Sequence, residues 1–472
     1  MISSGLYLPA LAVATLASAW STLFSRQYAA TVIVDLDTKY QTIDGFGFSA
    51  AFQRANLIVA LPEPRRSELV NLLFNSTSGA GFSILRNGIG SSPDSSNDYM
   101  NSILPISPGG PGVEPQYVWD GKDSGQLWLS REAARYGVDR FYANAWSAPG
   151  FMKTNGDDRN GGYLCGVTGT SCSSGDWRQA YANYLVKYIQ LYADAGVNIT
   201  DVGFLNEPDL STSYASMLSS GAQAAEFIKI LAPTLQSNGL SNVGITCCEA
   251  TGWNITERYL SELKTEGAEE LVNTISSHEY SSRVTGPLDT TRKIWQTEYS
   301  DLSGSWSTGW YSNGGAGDGY TWANTVYDAL TKASLSAYLY WECIQDTATN
   351  NNNNEKLVLI DGESFEVSKR LWAFAQFSRT VRPGAVRIGA SGGELKVTAF
   401  QNIDGQVAVN IINPGVLSAA INIAFDGFVP TTGNAWLTDN SRDMVDIRIL
   451  VLNGMAYGAV PPKAMVSFLL AA

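Results

Sequence analysis

Histidine is almost missing from this chain: His278 stands alone among 472 residues. Metal sites built on two or three imidazoles are therefore excluded, and a Ser-His-Asp relay would have to use that one ring. Phosphate cradles are missing as well. No GxxxxGK[ST] occurs, no HExxH, and no GxGxxG at a strand-to-helix junction. No metal and no cofactor is expected. Charge is sparse, at 16 % of residues, where about 25 % is usual. What charge there is leans negative, 44 Asp and Glu against 31 Lys and Arg, a net of −13. A field of that sign repels nucleic acid and anionic membranes. Carboxylates remain as the groups able to do acid, base or nucleophilic work.

Cysteine is scarce too, five in all, far below a disulfide scaffold. Cys165 and Cys172 flank a Gly/Thr/Ser loop and can close a small disulfide; the apolar flanks of Cys247, Cys248 and Cys343 suggest buried thiols. Residues 1–19 read as a secretory signal, an apolar run ending in Ala17-Ser18-Ala19. No other run reaches the ~18 apolar residues of a membrane span. Sequons at Asn75, Asn198 and Asn254 fit a glycosylated, extracellular protein.

Apolar residues are plentiful, at 44 %, and so are aromatics, with 13 Trp, 22 Tyr and 17 Phe. Rings of that kind suit flat ligands such as sugars. Between residues 41 and 382, short apolar runs alternate with amphipathic helical stretches. The strand candidates are 45–51, 82–88, 140–145, 201–205, 243–248, 274–278, 293–297 and 337–341. Helical spacing covers 64–74, 126–136, 177–195, 222–237, 255–266, 320–335 and 368–377. Eight such units are the count of a (β/α)8 TIM barrel. From residue 383 to 472 the period changes to two, with turns at Asp404-Gly405 and Asn413-Pro414-Gly415, the pattern of an appended β-sandwich side domain. Residues 31–35 share that alternation, so 20–40 is grouped with this domain. The five-Asn run 350–354 reads as a loop tip.

Catalytic groups in a barrel sit at the carboxyl ends of its strands. The fourth run ends Phe204-Leu205-Asn206-Glu207-Pro208, and the seventh ends Trp295-Gln296-Thr297-Glu298. Two carboxylates so placed face each other across the barrel mouth, which is the arrangement glycoside hydrolysis needs. Asn206 can hydrogen-bond a sugar hydroxyl, and Arg86, ending the second run, can hold Glu298 ionised. Trp146 and Trp341 can form a platform for sugar rings, with Tyr280 at the end of the sixth run. His278 reads as a structural histidine rather than a base.

These motifs resemble those of retaining glycoside hydrolases of clan A. Gly45-Phe46-Gly47, Leu85-Arg86, Ala145-Trp146-Ser147-Ala148-Pro149 and the trailing β domain narrow the resemblance to glycoside hydrolase family thirty. Ser49-Ala50-Ala51-Phe52-Gln53-Arg54-Ala55 resembles its fungal xylanase subfamily, the glucuronoxylanases and xylobiohydrolases. The resemblance implies Glu207 as acid/base, Glu298 as nucleophile, and a secreted monomer cleaving β-1,4-xylosidic bonds in endo or xylobiose-releasing fashion. It also implies that Arg54 binds the carboxylate of a glucuronic acid branch. Bacterial relatives carry that arginine after strand eight, whereas residues 343–368 here hold Lys356 and no Arg. Competing readings are a β-1,6-glucanase or β-1,6-galactanase of the same family, and a catalytically silent carbohydrate-binding protein.

Overall fold

Eight parallel strands close on themselves at the centre of the molecule. They are Gly45–Ser49, Ile84–Ile89, Arg140–Ala145, Asp201–Gly203, Gly244–Ala250, Thr274–His278, Lys293–Glu298 and Ala337–Asp346. Each pairs with the next, and the eighth closes the ring by pairing Ala337 with both Gly45 and Trp295. The structure is a computed structural model and describes residues 27–94, 100–348 and 352–472. The expected signal segment, residues 1–19, lies outside the described residues.

Strand period sorts the side chains. Ile84, Tyr142, Trp295 and Leu339 form a buried layer of their own, while their neighbours Leu85, Phe141, Ala143, Ile294 and Tyr338 join the larger core under the helices. Stepping by two from the inner layer leads to Arg86, Asn144 and Thr297, so polar residues stack over the apolar layer toward the carboxyl ends of the strands. Fit is tight there. A Cβ on Gly203 would lie 1.9 Å from Asn144 Oδ1 and 2.5 Å from the Tyr142 hydroxyl.

The helices follow the sequence spacing closely: Arg65–Phe74, Gln126–Arg135, Arg178–Asp194, Gly221–Ser237, Trp253–Thr265, Gly319–Lys332 and Lys369–Ser378. A short helix, Arg54–Ala60, also follows the first strand. After the eighth strand the structure adds two strands that the sequence periodicity does not mark, Lys356–Asp361, parallel to the eighth strand, and its hairpin partner, Ser364–Val367. Within the five-Asn run, Asn353–Asn354 pairs with Asp301–Ser305, so this segment is tied to the loop after the seventh strand.

The second sheet has ten strands. Its N-terminal strand, Gln27–Thr42, lies between Val386–Ser391, to which it is antiparallel, and Ser418–Asp426, to which it is parallel. Val32 and Val34 enter a core with Ile421, Val466 and Phe468. Helix Lys369–Ser378 joins the two parts. Gln376 donates to the Thr438 hydroxyl at 2.7 Å, and its carbonyl accepts from Asn410 and Ser467 at 2.9 and 2.8 Å. No helix among the described residues is long and apolar enough to cross a membrane.

Candidate active site

Glu207 and Glu298 meet at the barrel mouth. One oxygen of each, with a ring nitrogen of His278, lies within 4.8 Å of the others. Both carboxylates are nearly buried yet line a cleft of about 670 Å³. Glu207 sits on left-handed backbone (φ 47°), and so does Glu249 (φ 58°), a conformation that costs non-glycine residues energy. The two are tied directly: the Glu207 amide donates to the Glu249 carbonyl at 2.8 Å.

Beneath them runs a buried charge network. Arg86 donates to Glu298 Oε2 at 2.6 Å, to Asn206 Oδ1 at 2.6 Å and to Glu249 Oε2 at 2.8 Å. Its guanidinium carbon lies 4.5 Å from the Trp146 ring centroid. Glu249 further accepts from the hydroxyls of Tyr142 (2.8 Å) and Thr297 (2.9 Å). Burial alone would push the Glu249 carboxyl up, but Arg86 and His278 hold it down at about 2. His278 places Nδ1 3.1 Å from Glu207 and Nε2 2.8 Å from Glu249. Burial works against its cation, yet Glu298 and the bonds to Glu207 and Glu249 raise it to about 10. His278 thus bridges the carboxylates through both ring nitrogens, a hydrogen-bonded structural ring rather than a base, in keeping with the sequence reading.

Arg86 pulls the Glu298 carboxyl down, as the sequence suggests, but not far enough to set its net shift. The ion pair exists, but burial outweighs it and pushes the Glu298 carboxyl up, against the downward pull of His278 and Arg86. Two cations and three carboxylates share the network.

The cleft wall is aromatic. Phe52, Trp146 and Trp341 pack together, with Trp146 and Trp341 centroids 5.8 Å apart. Tyr280 and Tyr214 line the same space, and the Tyr214 hydroxyl approaches Glu207 at 3.4 Å. Arg54 is on the wall too, but it is 8 % exposed and donates through Nε to Glu342 Oε2 at 2.8 Å and through Nη1 to the Phe52 carbonyl at 3.0 Å. Burial pushes the Glu342 carboxyl up to about 8 despite that pairing.

The cysteine reading needs correction. Cys165 and Cys172 form a disulfide, as their spacing allows; Cys247 and Cys248 are not thiols but are bonded to each other, just before Glu249, leaving Cys343 buried and free. Asn198 and Asn254 are exposed, whereas the Asn75 amide donates to Asn71 at 2.9 Å. Glu249, Glu342, Tyr142 and Thr297 were not singled out from the sequence; a carboxylate ending a buried strand was the available signal for the two acids.

Known proteins bear on this geometry. Residues 43–379 match the model of glycosyl hydrolase family 59, and residues 384–468 match the glycosyl hydrolase family 30 beta sandwich domain. The catalytic domain of GH30 xylanase C from Talaromyces cellulolyticus superposes with a TM-score of 0.87 at 44 % identity, covering 94 % of this chain and 100 % of that one. Endo-1,6-beta-D-glucanase neg1 of Aspergillus fumigatus is 25 % identical over 426 residues, 84 % of this chain and 83 % of its own. A Caenorhabditis elegans chain assigned by name to the glucosylceramidases is 27 % identical over 438 residues, 81 % of this chain and 76 % of its own. The (β/α)8 barrel with its two opposed glutamates, the β-sandwich beside it and these matches place the chain among the glycoside hydrolases, in the group shared by families 59 and 30 and, by its likeness to xylanase C, in family 30.

Proposed function

We propose that the protein is a retaining β-1,4-xylanase, secreted, with Glu298 as nucleophile and Glu207 as acid/base. The observation that carries the mechanism is the spacing of the two carboxylates, whose oxygens lie within 4.8 Å. Retaining enzymes hold the pair about 5–5.5 Å apart, while inverting ones need roughly 6.5–9.5 Å to admit a water. Glu298 Oε2 accepts one bond from Arg86 Nη1 at 2.6 Å, which leaves its other oxygen to face an anomeric carbon. Glu207 protonates the departing oxygen, then takes a proton from the water that resolves the glycosyl-enzyme. A silent binder has no use for this paired arrangement.

Xylan as substrate rests on the 44 % identity to a family 30 xylanase, well above the 25 % to a β-1,6-glucanase. Arg54 supports a glucuronic acid branch. With Glu342 pushed up to about 8, that carboxyl is protonated at acidic pH and compensates the guanidinium less, leaving cationic charge on the cleft wall for a uronate. The test is to digest glucuronoxylan, unbranched xylan and β-1,6-glucan side by side and follow the anomers formed. Release of xylo-oligosaccharides as the β-anomer is expected. Products of inverted configuration overturn the retaining assignment, and cleavage of the glucan alone overturns the substrate. In the same assay Glu298→Gln removes turnover, and Glu207→Gln costs about 10²–10⁴-fold.

A further inference from the structure

The chain carries a net charge of −13, yet a cluster of the opposite sign sits far from the cleft. Helix Gly319–Lys332 leads into the eighth strand, which begins at Ala337. Its last turn therefore lies at the foot of the barrel, at the other end from Glu207 and Glu298. The side domain packs against it there. Tyr327, on that helix, is the centre of the cluster. Arg387 and Lys332 act on its hydroxyl electrostatically, and Lys396 Nζ lies 5.1 Å from its ring centroid. Among the described residues Asp328 is the carboxylate that pairs with this group, to Lys332 at 3.0 Å and to Lys396 at 3.6 Å. Three cations thus gather around one anion.

Arg387 is the member without a counter-charge. It is 9 % exposed and forms no ion pair among the described residues. Its Nε donates to Gln41 Oε1 at 2.9 Å, and its guanidinium carbon lies 3.8 Å from the Tyr40 ring centroid. Gln41 is fixed in turn, since its Nε2 donates to the Leu330 and Leu335 carbonyls at 2.9 and 3.1 Å. Burial pulls the guanidinium below its ordinary value, and Tyr40 and Tyr327 oppose that pull. The two Nη nitrogens, the part of the fork that matches a carboxylate, donate to nothing among the described residues. A cation held this rigidly and this deeply costs free energy until an anion meets it. Beside it Tyr40 is 49 % exposed, a ring that keeps much of its surface open.

We propose that Arg387, Tyr40 and Tyr327 form a surface site for a polysaccharide bearing uronic acid branches, separate from the catalytic cleft. The Arg387 fork takes the branch carboxylate, and Tyr40 offers its apolar ring to the sugar that carries it. Lys332 and Lys396 add attraction over a longer range. A dense polyanion such as nucleic acid, with a charge every ~1.7 Å along its axis, meets the repulsion of the whole acidic molecule. A polysaccharide with sparse uronates does not, because a single carboxylate can dock while the neutral backbone crosses the acidic surface. Bound there, a long chain is held to the protein while another stretch of it enters the cleft.

The site rests on the xylan reading for the choice of polymer alone. Its test is affinity electrophoresis of the Glu298→Gln protein in gels containing glucuronoxylan, with excess xylohexaose added to fill the cleft. Retention by the polymer is expected to persist under that competitor and to weaken as salt is added. Arg387→Ala and, separately, Tyr40→Ala raise the dissociation constant about two- to fivefold, the worth of one partly solvated charged contact. Arg387→Lys keeps the charge without the fork and falls between. With Glu298 intact, both alanine variants keep the kcat/KM of the unaltered protein on 4-nitrophenyl β-xylobioside. If Arg387→Ala loses activity there, its effect is structural, and Tyr40→Ala, at an exposed position, decides. No retention under the competitor, or retention equal to the parent's in both alanine variants, overturns the site. Equal retention by unbranched xylan overturns the uronate as its ligand. If the unaltered protein leaves xylan uncleaved, the xylan reading falls, while the gel, which reads binding alone, still decides the site.

Discussion

Glu249 receives donors from Arg86, Tyr142, His278 and Thr297 on its two oxygens. An amide in its place keeps one acceptor and turns a donor toward other donors. Glu249→Gln leaves Arg86 and His278 short of a counter-charge in a buried site, a loss of about 3–5 kcal/mol. Expected are a lower melting temperature and a fall in kcat with the alkaline limb of the pH profile moved to lower pH, since His278 then loses its proton more readily. A pH profile identical to that of the unaltered protein would show that Glu249 only supports the fold. Arg54→Ala is the second case. One charge-assisted fork to a uronate is worth about tenfold to 150-fold in kcat/KM, so glucuronoxylan should suffer by that factor more than unbranched xylan. Equal loss on both substrates means that Arg54 serves Glu342 rather than the branch. At this scale Glu207 and Glu298 were legible because each ends a buried apolar run, Glu207 just before Pro208. Glu249 was not, since the reading ended its strand at Cys248. His278 was set aside because one ring in a sequence carries no sign of the three carboxylates that surround it in space.

The barrel strands were legible for a different reason. Strands buried on both sides read as short apolar runs, and seven of the helices between them kept a 3.6-residue stripe. Lys356–Asp361 and Ser364–Val367 escaped because they follow an Asn-rich turn and mix charge with apolar residues. Edge strands such as Val445–Ile447 and Leu450–Leu452 have a period too short to count. The N-terminal strand is the element whose removal should tell most. Deleting residues 27–42 unpairs Val386–Ser391 and Ser418–Asp426 together and opens two strand edges, which invite association between chains. Size-exclusion chromatography of that variant is expected to show aggregates. A monodisperse, active monomer would mean that the side domain closes without this strand.

For the molecule as a whole, buried titratable groups set a preferred pH. Asp123, buried with the hydroxyls of Tyr188 and Tyr192, is pushed up to about 6, chiefly by burial. Glu342 reaches about 8 for the same reason, and His278 about 10. Each binds its proton more tightly folded than unfolded, so each contributes stability below its unfolded value that is lost as pH rises through its folded one. Glu249, held at about 2, works in the other direction, but its contribution is lost only as pH falls below the ordinary carboxylate range. Lys153, lowered to about 7 by burial, offsets the decline only above that pH. Melting temperature is therefore expected to peak under mildly acidic conditions and to fall toward pH 8. Calorimetry across that range checks it, and a maximum above neutrality contradicts it.

The placement of Gln27–Thr42 between two strands from the far end of the chain has a consequence for biosynthesis. Ile33 faces Ser391 and Tyr28 faces Ala419, so this strand waits for nearly the whole polypeptide before it finds either neighbour. At about 5–20 residues per second, translation from residue 27 to residue 386 takes roughly 20 to 70 seconds. Throughout that interval an alternating apolar segment is exposed beside a barrel that is assembling without it. The side domain therefore cannot close before Ser418–Asp426 has been made, whatever the intrinsic speed of the sheet.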